Sequence, residues 1–421
     1  MIVIGAGPAG AAAAMRAAGA GIKVMAFEKA PAGRDKVCGD GLTPRAVAAL
    51  DELGVSLDEA HRIAGLRMIA GRQVRELEWP ANGQFGPYGA VWPRRRLDSA
   101  LCDGAASAGA ELCFGTEAMP ILEDGAAVGV IAGGERWTAD LVVLAAGAQG
   151  QAARMLGALR DPQEPFGLAI RTYAETPRHA EEYLEACLTL SDSEGTAVPG
   201  YGWLFPAGDG TVNIGVGALN TMKGFANLNL NRLCDSYRDL VAESWQLGPY
   251  LERPRAWRLP MSATKRHGPG WVAIGDAAGL INPMNGEGID YGLETGILVA
   301  DLFAQDPTAV ADSYDRIVAE KFDAFLRTGR RFSFLIGHPR ILRAGLRMAV
   351  GTDAIARLTL QVMGNLIDNE TPGTAGRVLA AADRTLAAAS PALRRLHKRR
   401  AARTSASRRA AAAESTSTDD A

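Results

Sequence analysis

The chain has 421 residues, 48% of them hydrophobic and 22% charged, and a formal net charge of −2. That composition is globular, long enough for two domains or for one large α/β domain with an insertion, and its charge balance argues against a nucleic-acid partner. Five cysteines without a CxxC pair and five scattered histidines argue against a disulfide framework or a metal site, and a reducing, cytoplasmic setting follows.

Met1–Ile4 reads as a short apolar strand, Pro8–Ala20 as an Ala-rich helix and Ile22–Phe27 as a second strand ending at Glu28. The stretch lacks a basic n-region, so it is not a signal peptide. Between strand and helix stands Gly5-Ala6-Gly7-Pro8-Ala9-Gly10, a GxGxxG in the strand-turn-helix context that gives the motif meaning. Gly5 makes the turn, Gly7 admits a pyrophosphate, and Gly10 lets the helix pack on the strand. The helix N-terminus faces the phosphates, and Glu28 can accept from ribose hydroxyls. The chain opens directly on this strand, which suggests a short start.

A helix follows from about Pro44, short strands and turns from 61 to 93, a helix over Leu97–Ala108 and a buried strand at Leu141–Ala145, of the continuous apolar kind found in parallel sheets. Between about 160 and 262 short alternating strands dominate: Gly167–Ala174, Tyr183–Ser191, Tyr201–Pro206 and Thr211–Ala218. The last two are joined by a Gly-Asp-Gly hairpin signal. Strand, loop and long helix return over 271–304, 309–390 is mostly helical, and the end is a basic, Ala- and Ser-rich tail. No stretch of about 20 uncharged apolar residues is present, so the chain does not span a membrane, although it can lie against one.

The dinucleotide is decided by a second segment. Trp271–Gly279 is a strand ending in Gly275-Asp276, followed by Asn282-Pro283-Met284-Asn285-Gly286-Glu287-Gly288-Ile289. Asp276 can reach a ribityl or ribose hydroxyl. The Gly286–Ile289 turn opens a helix toward the electron-rich edge of a reduced flavin. A nicotinamide enzyme needs no such element, so the cofactor expected is tightly bound FAD. The sequence resembles the FAD-dependent reductases and hydroxylases of the p-hydroxybenzoate hydroxylase type. Arg94 with Leu97, Asp98 and Leu101 matches a helix start whose Arg contacts the cofactor in that group, and Leu141–Gly147 resembles its strand and Gly turn on the adenine side.

The resemblance narrows at Lys36-Val37-Cys38-Gly39-Asp40-Gly41, similar to the Cys-Gly-Asp-Gly segment of the geranylgeranyl reductase family, and at Tyr201-Gly202-Trp203-Leu204-Phe205-Pro206, similar to its Tyr-x-Trp-x-Phe-Pro signature. Leu360–Thr371 resembles actinobacterial members that reduce prenyl chains or menaquinone. Pro199 stands two residues before Tyr201, where archaeal members have three. The resemblance implies an α/β fold in five parts. These are an FAD-binding domain over 1–160, an antiparallel-sheet substrate domain over 161–264, an FAD-binding return over 265–308, C-terminal helices over 309–390 and a basic tail over 391–421.

It also implies an FAD-dependent reductase that saturates C=C bonds of an isoprenoid chain. The cofactor contacts would be Gly5, Gly7, Pro8, Ala9, Gly10, Glu28, Lys29, Arg34, Cys38, Gly39, Arg94, Gly147, Gly275, Asp276, Pro283, Gly286, Gly288 and Ile289. Cys38, Tyr201 and Trp203 would be catalytic: Cys38 as a proton donor or a shape-setting contact, the aromatic stripe as a wall for a prenyl cation. No metal is expected. No second GxGxxG serves NAD(P)H, since Gly215-Val216-Gly217-Ala218 lacks the last glycine, so NAD(P)H or another donor would act transiently. The alternative is a flavin monooxygenase on a small aromatic, polyketide or terpenoid. A flavin halogenase is disfavoured because no lysine lies between Lys36 and Lys223. The eight Lys or Arg residues of Arg394–Arg409 form a solvated tail or, in the second reading, a contact with the inner membrane surface.

Overall fold

The computed structural model describes residues 1–81, 83–148, 150–192, 195–367 and 373–389. The tail over 391–421, and residues 368–371 within Leu360–Thr371, lie outside the described residues.

Six strands form the first sheet, in the order His267–Gly268, Trp271–Ala273, Val142–Leu144, Ile2–Ile4, Met25–Glu28 and Glu111–Phe114. All neighbours are parallel except the first pair. Val3, Val143 and Val272 have no exposed surface, as parallel strands covered on both sides require. The helix Pro8–Gly19 packs against Ile289–Gln305 at small residues. A Cβ on Gly296 would stand 2.6 Å from the Ala9 carbonyl oxygen, so the approach of these two helices depends on glycine.

The second sheet has seven strands: Arg255–Pro260, Phe166–Glu175, Thr211–Leu219, Gly200–Pro206, Tyr183–Cys187, Gly65–Ala70 and Gln73–Glu78. It departs from the antiparallel expectation at one pairing, since Tyr183–Cys187 runs parallel to Gly65–Ala70. The strands over 65–78 therefore belong to this sheet, although their position in the chain placed them with the FAD-binding segment. Side-chain alternation identifies a strand and says nothing about a partner more than a hundred residues away. Tyr183–Ser191 is two strands, Tyr183–Cys187 and Leu190–Ser191.

A helix not anticipated, Leu230–Trp245, covers one face of this sheet. Leu233, Tyr237, Val241 and Trp245 recur every four residues and join Leu204, Val212, Ile214 and Val216 in one core. The other face carries the site. The C-terminal helices are Val310–Val318, Ala324–Ile336, Pro339–Ala349, Asp353–Met363 and a helix over 373–389. Among the described residues no helix is long and apolar enough to cross a membrane, and no cluster of metal-ligating residues occurs.

Candidate active site

A cavity of about 850 Å³ runs from the glycine turn, under the second sheet, to the C-terminal helices. Every candidate contact named from the sequence lines it except Gly10. Gly10 instead meets the turn itself: a Cβ there would stand 1.9 Å from the Gly5 carbonyl oxygen. Gly5, at φ +102°, would meet the Ala145 carbonyl at 2.5 Å. Both positions admit only hydrogen. Gly7 lines the cavity, where a Cβ would stand 3.4 Å from the Arg34 guanidinium and 4.0 Å from that of Arg94.

Glu28 is held at the end of its strand by two backbone amides. Its Oε2 accepts from Ala6 N–H and its Oε1 from Ala30 N–H, each at 3.0 Å. Arg34 lies 3.5 Å from Glu28 and 3.7 Å from Asp98. Arg94 donates two hydrogen bonds to Asp98, at 2.7 and 2.8 Å, one helical turn along. Lys29 and Gly147 lie along the same wall.

The Cys-Gly-Asp-Gly loop is fastened face-down on the second sheet. Arg171, fully buried, donates to both Asp35 oxygens at 2.8 Å, to the Lys36 carbonyl at 3.1 Å and to the Cys38 carbonyl at 3.2 Å, and pairs with Glu252. Asn213 donates to the Cys38 carbonyl and to Asp40 Oδ2, both at 2.8 Å, and accepts from Trp203 Nε1 at 2.9 Å. Asp40, buried and at φ +63°, also accepts from Tyr173 O–H and, at 3.2 Å, from Arg94 N–H. Strand pairing explains the convergence. Tyr173 is opposite Asn213 and Asn213 opposite Phe205, so alternate residues of three strands face the loop together. Burial raises the pKa of both the Cys38 thiol and the Asp40 carboxyl.

Tyr201, Trp203 and Phe205 form a continuous wall, with ring centroids 5.9 and 6.2 Å apart. Gly202 and Leu204 between them face the covering helix, where a Cβ on Gly202 would strike the Tyr237 ring. Gly39 and Gly41 lie against the wall: Cβ atoms there would stand 3.2 and 3.0 Å from Phe205. Tyr201 O–H donates to the Asn285 carbonyl at 2.5 Å, which ties the wall to the loop before the helix Ile289–Gln305. That loop brings Pro283, Gly286, Gly288 and Ile289 to the cavity beside Gly275 and Asp276; a Cβ on Gly288 would stand 3.1 Å from Asp276 Oδ1.

Residues 1–305 match the family described as FAD binding domain. A menaquinone reductase from Mycolicibacterium smegmatis is 40% identical over 390 residues, 90% of this chain and 94% of that protein. The chain belongs to the FAD-dependent geranylgeranyl reductase family. A digeranylgeranylglycerophospholipid reductase from Methanopyrus kandleri is 30% identical, across 72% of this flavoprotein and 79% of its own length. Among solved structures, a geranylgeranyl bacteriochlorophyll reductase-like protein from Thermoplasma acidophilum aligns with a TM-score of 0.73 at 22% identity, covering 90% of this chain and 98% of that one, and shares its fold.

The cavity of this flavoprotein fits FAD at the glycine turn and at Gly275-Asp276. The turn at Gly5, Gly7 and Gly10 is one that Cβ atoms at Gly5 and Gly10 would break, and Gly275, at φ +54°, turns the chain so that Asp276 faces inward. Four side chains escaped the sequence reading. Arg171, Tyr173 and Asn213 hold the loop, and an Arg within a buried strand was the one available signal. The fourth is Lys36, whose Nζ lies 3.4 Å from the Trp257 ring centroid. Burial pulls its pKa down to about 8, with Asp276 opposing.

Proposed function

We propose that this flavoprotein saturates C=C bonds in the prenyl side chain of menaquinone. The observation that carries the reading is the aromatic wall of Tyr201, Trp203 and Phe205 beside the Cys38 loop, in a cavity that continues between apolar side chains of the C-terminal helices, among them Phe332, Ile336, Leu346, Leu358 and Val362. That space suits a long hydrocarbon better than a small polar aromatic. The likeness to menaquinone reductases over nearly their whole length supports the choice of lipid.

FAD, when bound, supplies the hydride. The protein must hold the alkene, tolerate positive charge on carbon and deliver one proton. The ring faces of Tyr201 and Trp203 serve the first two needs, and both rings are oriented by their hydrogen bonds to Asn285 and Asn213. Cys38 serves the third. Burial keeps its Sγ protonated, and the Asp40 N–H contact at 3.3 Å fixes the sulfur. In this reading Glu28, Arg34, Gly7 and the helix N-terminus hold the nucleotide half of FAD. Asp276 and the turn Gly286–Ile289 hold the flavin half. The electron donor in this reading is NAD(P)H or another reductant acting transiently.

Anaerobic incubation of the dithionite-reduced holoenzyme with menaquinone and, separately, with geranylgeranyl diphosphate tests the proposal by mass spectrometry. Menaquinone is expected to gain hydrogen pairs without oxygen. Cys38→Ala is expected to lower that rate by roughly 10²-fold or more with FAD content unchanged. No hydrogen gain on either substrate, with oxygen insertion once air is admitted, would overturn the reading in favour of a monooxygenase.

A further inference from the structure

We infer that the far mouth of the cavity is a docking surface for an anionic lipid bilayer, an inference that rests on the lipid-substrate reading above. Three successive helices, Pro339–Ala349, Asp353–Met363 and 373–389, form this mouth. Each leaves a large apolar side chain in solvent: Ile341 is 39% exposed, Met348 67%, Ile355 40% and Val378 39%. Met348 is the most exposed large apolar residue among those described. Met348, Ile355 and Val378 also line the cavity, so exposed rim and interior are one apolar surface. A prenyl chain passing over them would leave the bilayer and reach the aromatic wall without crossing water.

The charge pattern identifies the partner. In Pro339–Ala349, Ile341 and Met348 are seven residues apart and share one face, while Leu342 and Leu346 turn toward the protein. Arg340, Arg343 and Arg347 occupy the remaining side, all exposed. Among the described residues none of the three pairs with a carboxylate. Arg343 reaches only the Pro339 carbonyl, at 3.2 Å. A helix with an apolar face flanked by arginines lies in the plane of a membrane interface and favours anionic lipid. A protein partner seated there would cap the route by which the substrate enters.

Vesicle flotation of the holoenzyme tests this. Binding is expected to vesicles of equimolar phosphatidylglycerol and phosphatidylcholine, to be weaker on phosphatidylcholine alone, and to fall as salt is raised. The double variant Ile341→Asp/Arg343→Glu, outside the cavity lining, is expected to lose roughly tenfold or more of this binding. It should keep its FAD absorbance, its melting temperature and its turnover on a detergent-dispersed short-chain menaquinone, and slow only on a vesicle-embedded long-chain one. The charge-only variant Arg340→Ser/Arg343→Ser should lose the preference for anionic lipid. Failure of the parent to bind the mixed vesicles, or equal binding by the double variant, overturns the inference. So does a dimer that the double variant dissolves without any vesicle binding. Vesicle binding lost in the variant, with no prenyl substrate reduced by the parent, would leave the docking surface standing and sink the substrate reading alone.

Discussion

Glu287 sits where the loop at 282–288 meets the Cys-Gly-Asp-Gly segment. Its Oε1 accepts from Thr43 Oγ1 at 2.5 Å and its Oε2 from Asn285 Nδ2 at 3.2 Å. Burial raises its pKa from 4.5 to about 7, against these hydrogen bonds and Arg45. Nearby, Asp290 is buried with neither carboxyl oxygen hydrogen-bonded and is raised as well, with burial the main cause and the charge of Glu287 second. The folded protein thus holds the Glu287 proton more tightly than the unfolded chain. The associated stability is present in full below about pH 4.5 and is lost as pH rises through about 7. Glu287→Gln removes this carboxyl and the charge that helps to raise Asp290, so the titration of the pair changes. Urea midpoints of the two proteins, measured at several pH values, should therefore diverge across that window, with the parent losing stability relative to the variant as pH rises. Parallel midpoints would rule out the assignment.

At the scale of the element, the strand Thr211–Leu219 shapes the wall. Trp203 lies directly across from Gly215, where a Cβ would stand 2.3 Å from the indole ring. The Gly-Val-Gly sequence that fails as a nicotinamide motif is in this setting the recess that receives Trp203. Gly215→Val should push the indole out of its hydrogen bond with Asn213 and, because a Cβ there also meets the Ile170 carbonyl oxygen at 2.4 Å, shift the paired strand, at a cost of about 3 kcal/mol or more by overpacking. The functional consequence is a raised KM for the prenyl substrate with FAD binding retained, measured by steady-state turnover and flavin absorbance. Loss of FAD with KM unchanged would place the wall's role on the cofactor instead.

Across the whole molecule, a guanidinium of the second sheet holds the loop that leaves the first sheet after Met25–Glu28. Arg171 rises from the second sheet to hold Asp35, Lys36 and Cys38, in the loop that follows the first βαβ unit, and Glu252 besides. Arg171→Met leaves the Lys36 carbonyl without this donor and weakens the hold on Asp35 and Glu252, which keep Arg255, and on the Cys38 carbonyl, which keeps Asn213, a loss of about 1–3 kcal/mol. Thermal unfolding followed by both flavin fluorescence and circular dichroism should show a lower transition and release of FAD ahead of it, because the loop is freed before the sheet melts. An unshifted transition would mean that the loop is held by other contacts.

Short-range order carried most of what the chain disclosed by itself. Gly5, Gly7, Gly10 and Glu28 are legible because a strand, a tight turn and a helix follow one another within 28 residues, and Gly10 packs against the turn itself, whereas the neighbour that demands glycine at position 5 is Ala145, far along the chain. The face shared by Tyr201, Trp203 and Phe205 follows from the two-residue period of any strand. Tertiary structure alone decided what meets that face. The pairing of Gly65–Ala70 with Tyr183–Cys187 and the meeting of Arg171, Tyr173 and Asn213 over Cys38 join residues far apart in the chain. So does the gathering of Ile341, Met348, Ile355 and Val378 into one rim. Local periodicity says which side chains point the same way. The entropy lost in closing long loops is regained only by burial and hydrogen bonds in the complete fold, so the partners exist only there.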